Sequence, residues 1–440
     1  MSHRVADARR QDLPFAVQNM ATAYLEEVAV RLSPLESRIF AALEQMEIID
    51  AHEHIFPESV RVNTKTDVLT FFSHYTRGDL RVAGMSETSL EEMQKPELPL
   101  EYRWKLFTPY WEQIRFDSYA RAALIAVEKF YDVDDINDET YALISERMAA
   151  ANKPGLYERV LREACNIRTA LTQCQRTDLG TPLLTPVMPL FANMWDIETW
   201  RGIASVYEAP GPVRTLDDLL DTGRAYIGRV KSEGAVGLKM LSNPYEQPSR
   251  AAANECFEQL RTGAVASLPM RNPLRDYVIN EMIRFAGEQD LTICVHTGYW
   301  GDFRMLDPLH MIPLLERHPN VRFDMYHIGY PWVRESIMLG KGFHNVWLNF
   351  CWTHIISQRF AMDALDEVID MVPMNKVIGF GGDYNLPVEK VYGHLTMARE
   401  DIARVLGARI ERGLMTEEQA IGLARKWLWD NPRELYRLTV

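Results

Sequence analysis

Apolar positions recur at helical spacing across residues 15–46, as in Val30, Leu32, Leu35, Ile39, Leu43 and Met46, and predict an N-terminal helical segment over 1–46. The pattern then changes. Ile48-Ile49-Asp50-Ala51-His52-Glu53-His54-Ile55 is a short apolar burst stopped by Pro57, which reads as a buried strand. From about 60 to 160 helical spacing returns with many aromatics, among them Trp104, Phe107, Tyr110, Trp111, Phe116 and Tyr119. This predicts a helical insertion packed over one end of the main body. Beyond it, strand-like runs at 166–171, 183–188, 235–241, 291–296, 321–327, 346–350 and 376–380 alternate with amphipathic helical patterns. With the Ile48 run they make eight. The last four begin roughly 25–30 residues apart, the repeat of parallel strands joined by crossover helices. Apolar strands covered on their outer side predict an α/β fold, a (β/α)8 barrel of the TIM type spanning 47–440. Its active site belongs at the C-terminal ends of the strands. A doubly wound open sheet lacks the Gly-rich phosphate turn that would support it.

Chemistry-bearing residues fall at those strand ends. His52 and His54 sit two apart on the first strand, so both imidazoles face one side. A buried pair of imidazoles without partners is costly, whereas two aimed at one point are natural ligands for zinc, manganese or iron. Two further strands end in His296 and His327, each followed by a glycine turn, Thr297-Gly298 and Ile328-Gly329. The last strand runs Ile378-Gly379-Phe380-Gly381-Gly382-Asp383 and brings a carboxylate to the same rim. Four strands therefore deliver imidazole or carboxylate to one end of one scaffold.

A His-x-His after the first strand, histidines after the fifth and sixth, and an aspartate after the eighth resemble the amidohydrolase superfamily. Within it the chain is similar to the amidohydrolase-related branch of decarboxylases, hydratases and lactone hydrolases. The segment IIDAHEH, the aromatic-rich insertion, VWLNFCW and the tail VEKVYGHLTMAREDIARVL also give it a layout resembling uronate isomerases. The resemblance implies that His52, His54, His296 and Asp383 bind one divalent metal, zinc first, with manganese or iron as alternatives. Such a cation acidifies water near neutral pH, Asp383 accepts the proton, and His327 is a ligand or steadies the developing oxyanion. A hydrogen bond that orients a ligand is the plainer role for His327. Lys239 ends the fourth strand, where binuclear members carry a carboxylated lysine. An unmodified lysine there would grip a substrate carboxylate or pair with Glu53. Tyr299, Trp300, Arg304, Tyr330, Trp332, Arg334 and Asn385 follow the strands and are candidates to hold substrate, with surface ion pairs the plainer reading for each arginine. His74 lies in the insertion and is a remote candidate to reach over the site. His354 and His394 need no ligand role.

The implied activity is metal-dependent hydrolysis of a small polar substrate, carboxylated or sugar-derived. Aldose–ketose isomerisation of a uronate and non-oxidative decarboxylation are the alternatives, and a non-catalytic binding barrel is a fourth. Two features depart from the isomerase pattern: His327 itself, and Gly-Asp-Tyr-Asn where Asp followed by Ser-Arg or Ala-Arg is expected. Composition narrows the field further. A net charge of −13 over 440 residues argues against a nucleic-acid partner, which needs a basic face. Five cysteines without a C-x-x-C pair fit a reducing cytoplasm. The N-terminus is too polar for a signal peptide, and no apolar run approaches a membrane span. Oligomeric state stays open, with a homo-oligomer paired through outer helices one option.

Overall fold

In a computed structural model, which describes residues 32–192, 197–205 and 211–440, the eight strands form one sheet in sequence order. They are β1 (Ile48–Glu53), β2 (Ile167–Thr172), β3 (Leu184–Pro189), β4 (Gly237–Leu241), β5 (Thr292–His296), β6 (Phe323–Tyr326), β7 (Val346–Asn349) and β8 (Val377–Ile378). Each pairs parallel with the next. All eight expected strands are present, most of them ending within a residue or two of the apolar run that announced them. β8 is the exception, with only two ladder residues. The chain beyond it still closes the barrel onto β1. Ala51 N–H donates to Phe380 O at 3.2 Å, Asp383 N–H to His52 O at 2.9 Å and His54 N–H to Tyr384 O at 2.8 Å. The described part of the predicted N-terminal helix is Pro34–Glu44, capped by Ser33 and Glu36 in a reciprocal box. The remainder of that expectation lies outside the described residues.

Strand side chains divide between two cores. Outward residues such as Leu238, Met240, Ile293, Val295, Met325 and Leu348 pack under the helices. Ile49, Ala51, Leu171, Val187, Cys294, Tyr326 and Cys351 form a separate cluster with Leu435 and Tyr436, which fills the barrel interior. Tyr436 donates to Asp324 Oδ2 at 2.6 Å, and its hydroxyl lies 3.1 Å from that of Tyr326. The Leu435 carbonyl accepts from Thr292 Oγ1 and Arg322 Nε, both at 3.0 Å. The base of the barrel is thus closed by residues that come after every strand. No helix among the described residues is long and apolar enough to cross a membrane.

Between β1 and β2 the chain makes a run of short helices, from Glu58–Asn63 to Tyr141–Ala151. They bury a core of their own around Phe72, Phe107 and Trp111, with Trp104 stacked on Tyr141 at 4.7 Å. Ser118–Tyr131 docks on the long helix Glu389–Glu411. Contact is so close that a side chain at Gly393 would collide with the Ala122 carbonyl. A buried ion pair pins the same joint. Arg61, fully buried, donates to Glu389 Oε1 at 2.9 Å and to the Leu386 carbonyl at 2.9 Å, and Tyr131 donates to the same Glu389 oxygen at 2.8 Å.

Removing one member of such a pair leaves an uncompensated buried charge, which typically costs about 3–5 kcal/mol. Arg61→Ala should therefore lower unfolding free energy in urea by about that much. Arg38→Ala, which breaks the exposed pair with Glu417, should leave it nearly unchanged, because water and salt screen such a pair. Equal losses in the two variants would show that Arg61 is no structural pin.

Candidate metal centre

β1 does not run as a regular strand. Asp50 pairs with Ala170 and Glu53 with Thr172, so three residue steps on β1 span two on β2. This is a β-bulge, which re-aims side chains at a barrel rim. Ala51 packs into the interior cluster, yet His52 faces inward as well, with its ring 4.3 Å from that of Tyr326. Glu53 then turns onto the opposite strand end and His54 returns to the interior. Asp50 Oδ1 accepts from Gly382 N–H at 3.1 Å, and Glu53 Oε2 accepts from Tyr384 N–H at 2.6 Å. A side chain at Gly382 would overlap the Glu53 carboxylate. Burial pushes the Asp50 carboxyl up to about 7 and that of Glu53 well above its ordinary range, with the neighbouring Asp50 raising Glu53 further. Between these two anchors Asp383 adopts a left-handed φ of 66°, a conformation that non-glycine residues hold only where surroundings impose it.

The result is a convergence. Asp383 Oδ1 lies 3.2 Å from His52 Nε2 and 3.3 Å from His54 Nε2, and one donor atom from each residue falls within 4.8 Å of the others. Burial holds both imidazoles below their usual pKa, so they are neutral with lone pairs to offer. Burial alone would raise Asp383, but His52, His54 and His327 around it hold it well below the carboxylate range. His54 Nδ1 sits 3.0 Å from the Gln173 carbonyl, which puts its proton on that nitrogen and leaves Nε2 free. Asp383 Oδ1 is buried with no hydrogen-bond partner. A buried, unpaired carboxylate oxygen between two neutral imidazoles fits a divalent cation, and an N/O donor set fits zinc, manganese or iron.

His296 does not join that group. Its Nδ1 lies 3.0 Å from His327 Nε2, and His327 Nδ1 lies 3.0 Å from the Cys351 carbonyl. A carbonyl can only accept, so His327 carries its proton on Nδ1 and takes one from His296 at Nε2. His296 Nε2 is therefore a lone pair, buried and unpartnered, on the wall of the site. His327 stands behind His296, fully buried, with Nε2 3.9 Å from Asp383 Oδ2. The structure gives it an orienting contact and no face on the cavity.

A cavity of about 320 Å³ opens here, lined by His54, His74, Tyr75, Gln173, Lys239, Leu241, His296 and Trp300. Lys239 Nζ lies 3.4 Å from His52 Nε2 and 3.8 Å from the Tyr326 ring centre. Burial brings it down to about 8. Pairing of Lys239 with Glu53 is not formed, since Glu53 is committed to the Tyr384 amide. Arg304 is 81% exposed and paired with Asp302, Arg334 is equally exposed on Glu367, and neither lines the cavity. Asn385 uses its carboxamide oxygen on the Leu386 amide, and Tyr299 is half exposed, stacked 6.2 Å from Trp352. His354 is locked between Asp401 and the Gly379 carbonyl.

The insertion supplies side chains that sequence reasoning largely missed. Tyr75 donates to Asp383 Oδ2 at 3.0 Å and stacks on Trp352 at 4.4 Å. His74, with φ 60°, lines the cavity 6.1 Å from the His54 ring. Only the adjacency of two ring side chains in a predicted insertion hinted at this. Lys390, buried in the long helix, ties the segment down by donating to the Phe71 carbonyl at 3.0 Å and to Thr76 Oγ1 at 3.1 Å.

Similarity to known proteins bears on the family and the fold. The amidohydrolase family model matches residues 192–438. Protein fluG of Emericella nidulans is 26% identical over 175 residues, which are 38% of this chain and 20% of that protein. This chain thus spans a small part of that relative's length. The uronate isomerase of Thermotoga maritima superposes with a TM-score of 0.75 at 16% identity, covering 92% of this chain and 98% of that one. The glucuronate isomerase of Caulobacter crescentus gives 0.75 at 17%, covering 93% and 96%. At such identities the likeness is one of fold.

Two outcomes are expected. His52→Ala should lose the metal on dialysis after zinc loading, read by elemental analysis against the wild type; unchanged content would refute the ligand assignment. Burial brings Lys390 down to about 7, against the pull of Asp117 and Asp79. Its folded pKa thus lies below the unfolded value, the unfolded chain binds the extra proton between about pH 7 and 10, and stability rises with pH there. The stability gap between wild type and Lys390→Met should widen by up to about 1.4 kcal/mol per pH unit above pH 7 and stay flat below. Urea midpoints across pH check this, and a gap constant from about pH 6 to 10 would contradict it.

Proposed function

The chain belongs to the amidohydrolase family, and on that premise we propose that it is a metal-dependent hydrolase of a small polar substrate, carboxylated or sugar-derived. The observation that carries this reading is the divided use of Asp383. One oxygen faces the His52 and His54 imidazoles, and the other accepts from Tyr75. When bound, a divalent cation supplies Lewis acidity, polarising a carbonyl and acidifying water at the site. Zinc is the first choice. Asp383 is ionised at neutral pH and is placed to accept the attacking water's proton and return it to a leaving group. Tyr75, held protonated because burial and the neighbouring Asp383 raise its pKa, steadies the carboxylate. Lys239 is mostly protonated at neutral pH and offers a grip for a substrate carboxylate. His296 presents its free Nε2 as a further acceptor.

A second reading, aldose–ketose isomerisation, is favoured by Tyr75 and His74. Isomerisation removes a proton from one carbon and returns one to its neighbour, and a carboxylate hydrogen-bonded to a phenol is an acid–base pair suited to that. The two isomerases of similar fold cover nearly the whole chain. Against it, no arginine lines the cavity among the described residues to hold a uronate carboxylate in bidentate fashion.

The zinc-, manganese- and iron-loaded protein should be assayed on lactones, N-acyl amino acids and uronates. Bond cleavage is expected, falling roughly 10²-fold or more in Asp383→Asn. Deuterium uptake beside a sugar carbonyl without cleavage would instead establish the isomerase, and carbon dioxide release a decarboxylase.

A further inference from the structure

A second cavity of about 280 Å³ adjoins the first, and Leu241 and Trp300 line both. The two spaces differ in chemistry. Around the metal centre the walls are imidazole, amine, carboxamide and phenol. The neighbouring space is walled by Trp300, Leu241, Met270, Met305 and Leu306. Three of its polar side chains are committed elsewhere, Ser242 Oγ to the Asp307 carbonyl at 2.6 Å, Asp302 to Arg304, and Arg275 to the Met270 carbonyl at 2.8 Å, while the buried Asn243 carboxamide oxygen has no partner and offers a single acceptor.

Trp300 remains 44% exposed and Met270 37% exposed. Contiguous apolar surface left in water beside a reactive centre marks a binding surface. Methionine walls deform readily around chains of different shape, and pockets of this kind bury most of a ligand against apolar walls with a few polar groups fixing its orientation. Trp300 also lies with its ring 5.8 Å from that of His296, so a chain passing the indole begins at the metal centre.

We infer that the second cavity is the subsite for a hydrocarbon arm of the substrate. The substrate is then an acyl- or alkyl-substituted carboxylic derivative, with its polar reacting group at Asp383 and its chain lodged past Trp300. A polyhydroxylated arm could pair one hydroxyl with the Asn243 carboxamide oxygen and would leave the others against apolar walls, which is costly. The identity of the reacting group rests on the hydrolase reading above, whereas the subsite does not depend on which reaction occurs.

The test is a binding series. Straight-chain carboxylates from acetate to octanoate are titrated calorimetrically into the zinc-loaded protein. Kd should fall about three- to fourfold per methylene until the cavity is full. Met305→Asn and Met270→Asn, neutral polar changes on the cavity's rim, should flatten that slope. A Kd independent of chain length, or a slope untouched in both variants, would overturn the subsite. Chain-length dependence without cleavage of any lactone or N-acyl amino acid would sink the hydrolase reading and leave the subsite standing. Turnover without chain-length dependence would do the reverse.

Discussion

The centre depends on one seam, where the barrel closes between β1 and the chain beyond β8. Three backbone hydrogen bonds cross it, and two buried carboxylates, Asp50 and Glu53, take the amides on either side of Asp383. Without that clamp the Gly381-Gly382-Asp383 turn has no reason to hold a left-handed aspartate against two imidazoles. Burying carboxyls is costly, and their raised pKa values reflect it. The clamp secures the position of a third donor, brought from more than three hundred residues away in sequence.

A second layer of control comes from hydrogen-bond direction. The Cys351 carbonyl fixes the proton on His327, and His327 fixes it on His296, so a backbone oxygen just beyond β7 sets which nitrogen at the end of β5 is left as a lone pair. On the opposite wall the insertion presses Tyr75 against Asp383, with Lys390 holding down the segment that carries it. Both arrangements reach the cavity through partners that never touch it. Barrel strands provide the frame and the insertion helps complete the chemistry.

How much of this was legible beforehand depends on the physics of each signal. Buried parallel strands announce themselves as short apolar runs between turn residues, so all eight could be read, β8 least well because its pairing continues as single bonds around glycines. Strand-terminal His52, His54, His296 and Asp383 were visible for the same reason. The bulge at Ala51-His52 was not, since an extra residue in a strand leaves the composition unchanged. Nor could reading along the chain separate His296, on the wall, from the three donors that converge, or place His327 behind it. Arg304 was a reasonable candidate by position, but its loop turns it to solvent and to Asp302. His74 and Tyr75 reach the site only through the tertiary docking of a segment whose own pattern shows little more than helical packing.

The interior of the barrel also carries a consequence for how the molecule is made. Tyr436 and Leu435 fill the space beneath Tyr326 and Asp324, yet the ribosome adds them after every strand. Vectorial synthesis can lay down the sheet and its covering helices in order, but the innermost layer waits for a segment made only after β8. Until it arrives, Asp324 lacks its phenol partner and the central cluster is hollow. The barrel therefore completes its core after elongation has passed the last strand, through contacts among the longest-range in the chain.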